Sequence, residues 1–407
     1  MSDPLEWLLG LEKFGMKFGL ENMVALTRAL GDPQGSFTSV LIAGTNGKGS
    51  VTAIVDTAAR LGGYRSGRYT SPHLERLEER FVIEGEEVAA TALARSVSRV
   101  RSVVDDLLGE GTLQASPTFF EVTTAVAFDL FREAGIEIAI LEVGLGGRLD
   151  STNVVDPIVT AITTIAFDHE AQLGSTLAAI AREKAGIMRP GVPVVIGRLP
   201  DEALEVIAAA ARDLDAPVVR AHETVAWPGD LRPALPGAHQ VDNAVVALAL
   251  LDALADRGYP IAPPLRRQAV ETVHWPGRLE RIDLPGTELL LDAAHNPAGA
   301  GALASYLRDA HWTDAVLVFA AMADKDARGM LAALAPAVER IICTTAPTPR
   351  AADASALARI AAELAGSHRV DAVADPQAAV TRARELSPRV VVAGSMFLIG
   401  PLRGILR

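Results

Sequence analysis

A lysine and a serine separated by one glycine, placed where an apolar run ends, are the residues best equipped for chemistry in this sequence. The run Val40-Leu41-Ile42-Ala43 stops in Gly44-Thr45-Asn46-Gly47-Lys48-Gly49-Ser50. Glycines at 44, 47 and 49 let the backbone turn tightly and aim its N–H groups inward, with Thr45 and Asn46 among the candidate ATP contacts. Lys48 can reach the outer phosphates and Ser50 can ligand Mg²⁺. A helix over residues 51–61 adds its positive dipole end. The general phosphate-loop pattern asks for glycine at Ile42 and a hydroxyl at Gly49, so the match is to a shorter variant. A glycine-rich strand-to-helix turn of some other α/β protein is the alternative.

If the loop holds ATP, the chain offers further groups at strand ends or in the loops beyond them. Proline after Ser71 pushes that serine out of helical geometry and onto a strand-end loop. Glu142 closes an apolar run, and Asp168-His169 follows another. Magnesium prefers oxygen, so Glu142 with the hydroxyls of Ser50 and Ser71 are its natural ligands, and His169 is the softer one. Each has a plainer reading: a strand-end glutamate also caps helices or pairs with a base, and a histidine after an aspartate also serves a hydrogen-bonded turn. The glycines of Gly144-Leu145-Gly146-Gly147-Arg148 have the wrong spacing for a dinucleotide fingerprint and read as shaping a loop around a substrate. Asp292-Ala293-Ala294-His295-Asn296-Pro297 lies at the end of a later strand, where ligands gather, with a structural turn as the competing view.

The elements that must position these groups alternate between strand and helix. An N-terminal helical arm over 5–30 is broken around residues 14–20. Helical spacing covers 89–108, and a second helix opens at Thr118, a cap completed by Glu121 as a capping box, and runs to about 133. Strands follow at 136–142 and 159–165, a helix at 176–185, and an alanine-leucine helix from about 238 to 255. After Trp275-Pro276-Gly277-Arg278 a fresh series begins, with strands at 289–292, 315–319, 340–344 and 389–393. The pattern is α/β: a P-loop doubly wound parallel-sheet ATPase domain over 1–280, followed by a smaller Rossmann-like C-terminal domain over 281–407.

The 407 residues, 49% hydrophobic and 22% charged, support ordinary globular cores. A net charge of −12 argues against nucleic acid and anionic membrane as partners. Acids at the N-terminus and the lack of a long uncharged run point to a cytoplasmic chain. The single cysteine, Cys343, lies in an apolar run and reads as a buried strand thiol.

Taken in order, Ala43 to Ser50, Ser71-Pro72-His73-Leu74, Thr118-Phe119-Phe120-Glu121, Leu141-Glu142-Val143-Gly144-Leu145-Gly146-Gly147-Arg148-Leu149-Asp150, Asp168-His169, Arg182-Glu183-Lys184-Ala185-Gly186-Ile187, Pro276-Gly277-Arg278 and Asp292 to Pro297 resemble the folylpolyglutamate synthase/dihydrofolate synthase family of the Mur ligase superfamily. The resemblance runs from the arm to Gly394-Ser395-Met396-Phe397-Leu398. It implies an ATP-dependent amide ligase, working as a monomer with two Mg²⁺ ions, that joins L-glutamate to a pterin-bearing (folate-type) carboxylate through an acyl phosphate. It assigns metal to Ser50, Ser71, Glu142 and His169, and ATP contacts to Asn243, Arg278 and Asp292. Lys184 matches a lysine that is carbamylated in the superfamily. The pterin side takes in Lys17, Phe18 and Gly19, Thr118 to Glu121, and Leu149, Asp150 and Ser151, with Phe119 or Phe120 packing on a flat ring, and His295 joins the substrate-facing groups. The segment Ala320-Ala321-Met322-Ala323-Asp324-Lys325-Asp326 has alanine where relatives often show glycine, and Met396-Phe397 replaces a more usual leucine-tyrosine; both departures bear on the second domain and the glutamate site. A peptidoglycan-type Mur ligase would share the loop, the metal residues and Lys184 but lack the contexts at Thr118 and Ser71. A nucleotide-binding protein without activity would not need Lys48, Glu142, His169 and Lys184 together.

Overall fold

The computed structural model describes residues 3–14 and 19–406. Packing divides the chain into two compact units: Met1–Ile165 with Leu173–Arg232 and Asp242–Val273, and Ala166–Gln172 with Pro233–Val241 and His274–Arg407. Where the sequence suggests one cut at 280/281, contacts assign two short earlier stretches to the second unit, a distribution that a linear reading has no means to see.

The first unit is built on an eight-stranded sheet. Its strands are β1 (Thr38–Ala43), β2 (Ser66–Tyr69), β3 (Phe81–Ile83), β4 (Glu86–Glu87), β5 (Ile138–Glu142), β6 (Pro157–Ile162), β7 (Val194–Ile196) and β8 (Val218–Arg220), in the order β4-β3-β2-β5-β1-β6-β7-β8. The sheet is parallel from β2 to β8, with β3 and β4 antiparallel at one edge. β1 sits between β5 and β6, and its apolar run is buried, as an interior parallel strand requires. Two expected strands are shorter than read: 136–137 precede β5, and 163–165 lie beyond β6, where their backbone turns to the phosphate loop.

The helix Lys48–Leu61 begins at the loop lysine, three residues earlier than expected, because Gly47 at φ 84° turns the chain directly into it. The helix Phe119–Ala134 starts as the capping box predicts: Glu121 N–H donates to Thr118 Oγ1 (3.2 Å) and Thr118 N–H to Glu121 Oε2 (2.7 Å). It ends at Gly135, whose φ of 61° suits the left-handed stop. Its Phe128 and Phe131 are fully buried, each with its ring centroid 5.9 Å from that of Phe37. Truncating either to alanine would cost about 3–5 kcal/mol. The arm forms Pro4–Leu9, a 3-10 turn Gly10–Phe14 and the helix Glu21–Ala29.

The second unit carries a six-stranded sheet of β9 (Glu280–Leu284), β10 (Thr287–Asp292), β11 (Val316–Phe319), β12 (Arg340–Cys343), β13 (Val370–Ala372) and β14 (Arg389–Ala393), ordered β13-β12-β11-β14-β10-β9. Only β9 is antiparallel, hairpinned to β10 through Gly286 at φ 73°. Cys343 is fully buried in β12, and burial pushes its thiol up to about 12.

Candidate active site

The phosphate loop is braced by two hydroxyls that the sequence reading passed over. Thr163 Oγ1 donates to Asn46 O (2.6 Å) and Thr164 Oγ1 to the same carbonyl (3.1 Å), while Asn46 N–H donates back to Thr164 Oγ1 (3.0 Å). A Cβ on Gly44, whose φ is 152°, would stand 1.9 Å from Thr163 Oγ1, so glycine there answers a close approach as well as a turn. The signal available was two adjacent threonines at a strand end.

Lys48 Nζ donates to Gly44 O (3.0 Å) and Thr45 O (3.2 Å), folded over its own loop. Lys184 lies on the helix Leu177–Ala185, capped by Thr176. It is 4% exposed, and its Nζ donates to Gly44 O at 2.9 Å. Two lysines therefore converge on one carbonyl of the phosphate loop. Glu183, its neighbour on the helix, accepts Arg148, through Nη2 at 2.9 Å and Nε at 3.2 Å. Asn243 is 6% exposed, and its Oδ1 would lie 2.2 Å from a Cβ on Gly47, so the helix Ala238–Asp256 brings this amide against the loop.

The glycines after Glu142, expected to shape a loop around a substrate, stand in close packing. A Cβ on Gly144 would meet the Phe120 ring at 2.5 Å, and one on Gly147 would meet Glu183 O at 2.9 Å. Arg148 N–H donates to Glu183 O (2.8 Å), and Asn153 Nδ2 to Arg148 O (3.1 Å) and Gly186 O (3.0 Å), so this loop fixes the helix that carries Lys184.

Glu142, 6% exposed at the end of β5, accepts Ser71 N–H through Oε2 at 3.1 Å, which brings two of the expected metal ligands together. Ser50 is buried in the first turn after the loop. Carboxylate and hydroxyl oxygens suit Mg²⁺, and in this unit Glu142, Ser71 and Ser50 would hold it. Among the described residues no group of three or more His, Cys, Asp and Glu side chains is gathered for a metal.

Phe119 and Phe120, among the residues assigned to the pterin, have aromatic and cationic neighbours. Phe120 stacks on Tyr69 at 6.1 Å between centroids, and Phe119 carries the Arg80 guanidinium 5.1 Å above its ring. Both phenylalanines are half-buried. Glu121 is 2% exposed, and its Oε1 has no hydrogen-bond partner. Asp150 accepts N–H groups from Leu145 (2.8 Å) and Thr152 (3.0 Å); burial outweighs these donors and raises its pKa. Leu149 and Ser151 flank it, Ser151 opening the turn Ser151–Val154. Lys17 and Phe18 lie outside the described residues. Gly19 is described, with φ at 138° and Glu21 Oε2 where a Cβ would be.

In the second unit Asp292 is 6% exposed and accepts Leu279 N–H and Ala294 N–H, each at 3.0 Å. The turn reading of this segment is thus part of its structure. Burial raises the Asp292 pKa, against the pull of Arg278 and His239. His169 stands at φ 52°, a left-handed conformation that costs a histidine about 1–3 kcal/mol and that accumulates at functional sites. Its companions were not foreseen. Lys325 donates to the Asp168 carboxylate and to His169 Nε2 (3.1 Å), Asn296 Nδ2 donates to Asp168 Oδ2 (3.0 Å), and His295 Nε2 lies 3.5 Å from the same oxygen. Burial works against the Asp168 charge, but the hydrogen bond from His295 and the cationic groups around it hold the carboxyl well below the usual carboxylate range.

Among the described residues no helix is long and apolar enough to cross a membrane. Residues 277–396 match the model of the Mur ligase glutamate ligase domain. The dihydrofolate synthase/folylpolyglutamate synthase of Mycobacterium tuberculosis is 36% identical over 94% of this chain and 89% of its own length. Two longer proteins, from Haloferax volcanii and Halobacterium salinarum, are each 34% identical, and the chain spans only 50% and 51% of their length. A crystal structure of Mycobacterium tuberculosis folylpolyglutamate synthase with ADP and AMPPCP superposes with a TM-score of 0.90 at 35% identity, covering 99% of both chains. A bifunctional folylpolyglutamate synthase/dihydrofolate synthase with Mn, AMPPNP and L-glutamate bound superposes at 0.87 and 32% identity, covering 100% of this chain and 98% of that one. With the Mycobacterium tuberculosis relative matched at 36% identity over 89% of its length, and the loop, Lys184 and Glu142 placed as above, the chain belongs to the dihydrofolate synthase/folylpolyglutamate synthase family of Mur ligases.

Proposed function

We propose that this chain is an ATP-dependent ligase that adds L-glutamate to the carboxylate of a folate-type substrate, dihydropteroate or a reduced folate, through an acyl phosphate. The observation that carries the reading is the convergence of Lys48 and Lys184 on Gly44 O in a loop that Thr163, Thr164 and Asn243 brace. Such a loop offers preorganised N–H groups and an ammonium to a phosphate chain. Relatives crystallised with ADP, AMPPCP, AMPPNP, Mn and L-glutamate support it.

A free carboxylate is a poor acyl donor. Transfer of the γ-phosphoryl group to it makes phosphate the leaving group when the glutamate amine attacks. Lys48 lies within the loop and can swing from its carbonyls onto the transferring oxygens, neutralising charge as it develops. Mg²⁺ held by Ser50, Ser71 and Glu142 of the first unit would supply further charge stabilisation at the phosphates, and His169 of the second unit is proposed as a ligand to one of two such ions. Lys184 as a carbamate would place an anion where the lysine now donates to Gly44 O. On the pterin side, Glu121 Oε1 and Asp150 offer buried carboxylate oxygens to ring N–H donors, and Phe119 and Phe120 offer flat apolar faces. Asn243, Arg278 and Asp292 complete the ATP contacts, and the enzyme acts as a cytoplasmic monomer.

The test offers ATP and labelled glutamate separately with dihydropteroate and with tetrahydrofolate, and resolves products by mass. Glutamate addition with stoichiometric phosphate release in either arm is the expected result. Phosphate release without a glutamylated product in both arms would overturn the reading.

A further inference from the structure

We infer that Lys325 and a divalent cation compete for one atom, Nε2 of His169, and that Asp168 sets the balance by holding the lysine. The inference rests on His169 being a metal ligand, as proposed above. Lys325 Nζ lies 3.1 Å from His169 Nε2 and also donates to Asp168. An ammonium has donors only, so Nε2 presents its lone pair to the lysine and the ring proton sits on Nδ1. An imidazole nitrogen has one lone pair in the ring plane. A cation ligated through Nε2 uses that same pair, and the two occupants exclude each other.

The surroundings are those of a held lysine. Its side chain is 10% exposed and that of Asp168 is 7% exposed. Asp168 is itself fixed: Asn296 Nδ2 donates to Oδ2 (3.0 Å), His295 Nε2 lies 3.5 Å from the same oxygen, and His169 N–H donates to Oδ1 (2.9 Å). Lys325 also donates to Oδ1, so it can release Nε2 and keep a buried counter-charge without leaving the cluster. All of these residues belong to one unit, with Lys325 between β11 and the helix Ala327–Leu334. Asp168 is therefore a positioning residue: it receives the ammonium when a metal takes the histidine.

The experiment measures Mn²⁺ affinity of the full chain, without nucleotide, from the electron paramagnetic resonance of free Mn²⁺. Lys325→Met should tighten binding several-fold, and Asp168→Asn, which leaves the ammonium leaning on Nε2, should weaken it several-fold. A general field of nearby charges gives the same signs, so both substitutions are repeated in a His169→Ala background. Competition for Nε2 predicts that the Lys325→Met gain disappears there; a gain that persists overturns the inference. Wild-type affinity in Lys325→Met, while His169→Ala weakens binding, overturns the inference alone. Unchanged affinity in His169→Ala overturns the metal-ligand reading beneath it. Nitrogen-15 spectra of the metal-free wild-type protein give an independent readout: a protonated Nδ1 is expected, and a protonated Nε2 would refute the arrangement without any variant.

Discussion

His73 should make the first unit less stable as the pH falls below 6.5, by an amount the geometry sets. Arg80 Nε donates to His73 Nδ1 at 2.9 Å, and Arg80 is itself 6% exposed. Protonating that nitrogen breaks the bond and sets two cations side by side. Burial first, and the Arg80 charge second, lower the His73 pKa from 6.5 to about 4. Between these values the unfolded chain binds a proton that the folded chain refuses, so stability rises with pH across the window and the penalty is complete below about 4. One pKa unit is 1.36 kcal/mol, so the loss relative to pH 8 is about 1.4 kcal/mol at pH 5.5 and about 2.5 kcal/mol at pH 4.5. The variant His73→Gln keeps an acceptor for Arg80 and removes the titration. Urea unfolding of wild type and variant at pH 8.0, 6.5 and 5.5 should show the wild type losing about 1.4 kcal/mol more than the variant by pH 5.5. Arg80→Met should raise the His73 pKa only in part, since burial is the larger cause. Parallel pH profiles for wild type and His73→Gln, or a His73 resonance titrating near 6.5, would refute the reasoning.

Three further outcomes are expected at the phosphate loop. Lys48→Ala should lower the ligation rate about 10²–10³-fold, with the circular dichroism spectrum unchanged, because it donates to carbonyls of its own loop. Lys184→Ala should lose activity and regain part of it with acetate or formate, which can occupy the vacated anionic position, while Lys184→Arg stays inactive; a fully active arginine variant removes the carbamate. Gly44→Ala puts a Cβ 1.9 Å from Thr163 Oγ1 at a φ of 152°, so AMPPNP affinity by calorimetry should fall at least about tenfold, which is about 1.4 kcal/mol.

What could be read from the sequence was whatever local backbone chemistry decides. Thr118 and Glu121 are three residues apart, and their reciprocal bonds depend on nothing beyond the first helical turn, so the helix start at Phe119 was legible to the residue. The parallel strands β1 and β5 were legible because burial on both faces leaves continuous apolar runs. β4, of two residues, and β8, whose residues are all exposed or half-exposed, carry no such run and went unseen. The same limit governs the site. Lys325 and Asp168 are 157 positions apart, and neither segment has a pattern that names the other as its counter-ion. Nothing local to Lys184 names its partner either, because the carbonyl that accepts its hydrogen bond belongs to a loop 140 residues earlier.

Gly47 shows most directly why types and spacing reach only part of the way. In the sequence it is a turn residue of the phosphate loop, and its φ of 84° justifies that reading. Asn243, almost two hundred positions later, enters only through the family resemblance, with no physical tie to the loop. In the folded chain the two are one device: Asn243 Oδ1 lies 2.2 Å from where a Cβ on residue 47 would be, so the amide occupies the space that the glycine leaves empty. A side chain at 47 would therefore do two kinds of harm, straining the backbone at positive φ and pushing away the asparagine assigned to ATP. Backbone strain alone predicts that an asparagine at 47, which tolerates left-handed φ, should be better accepted than an alanine. The contact predicts that both should fail, since each carries the Cβ that collides. Nucleotide affinity of Gly47→Asn against Gly47→Ala separates the two accounts, and equal loss in both is the outcome that the packing against Asn243 requires.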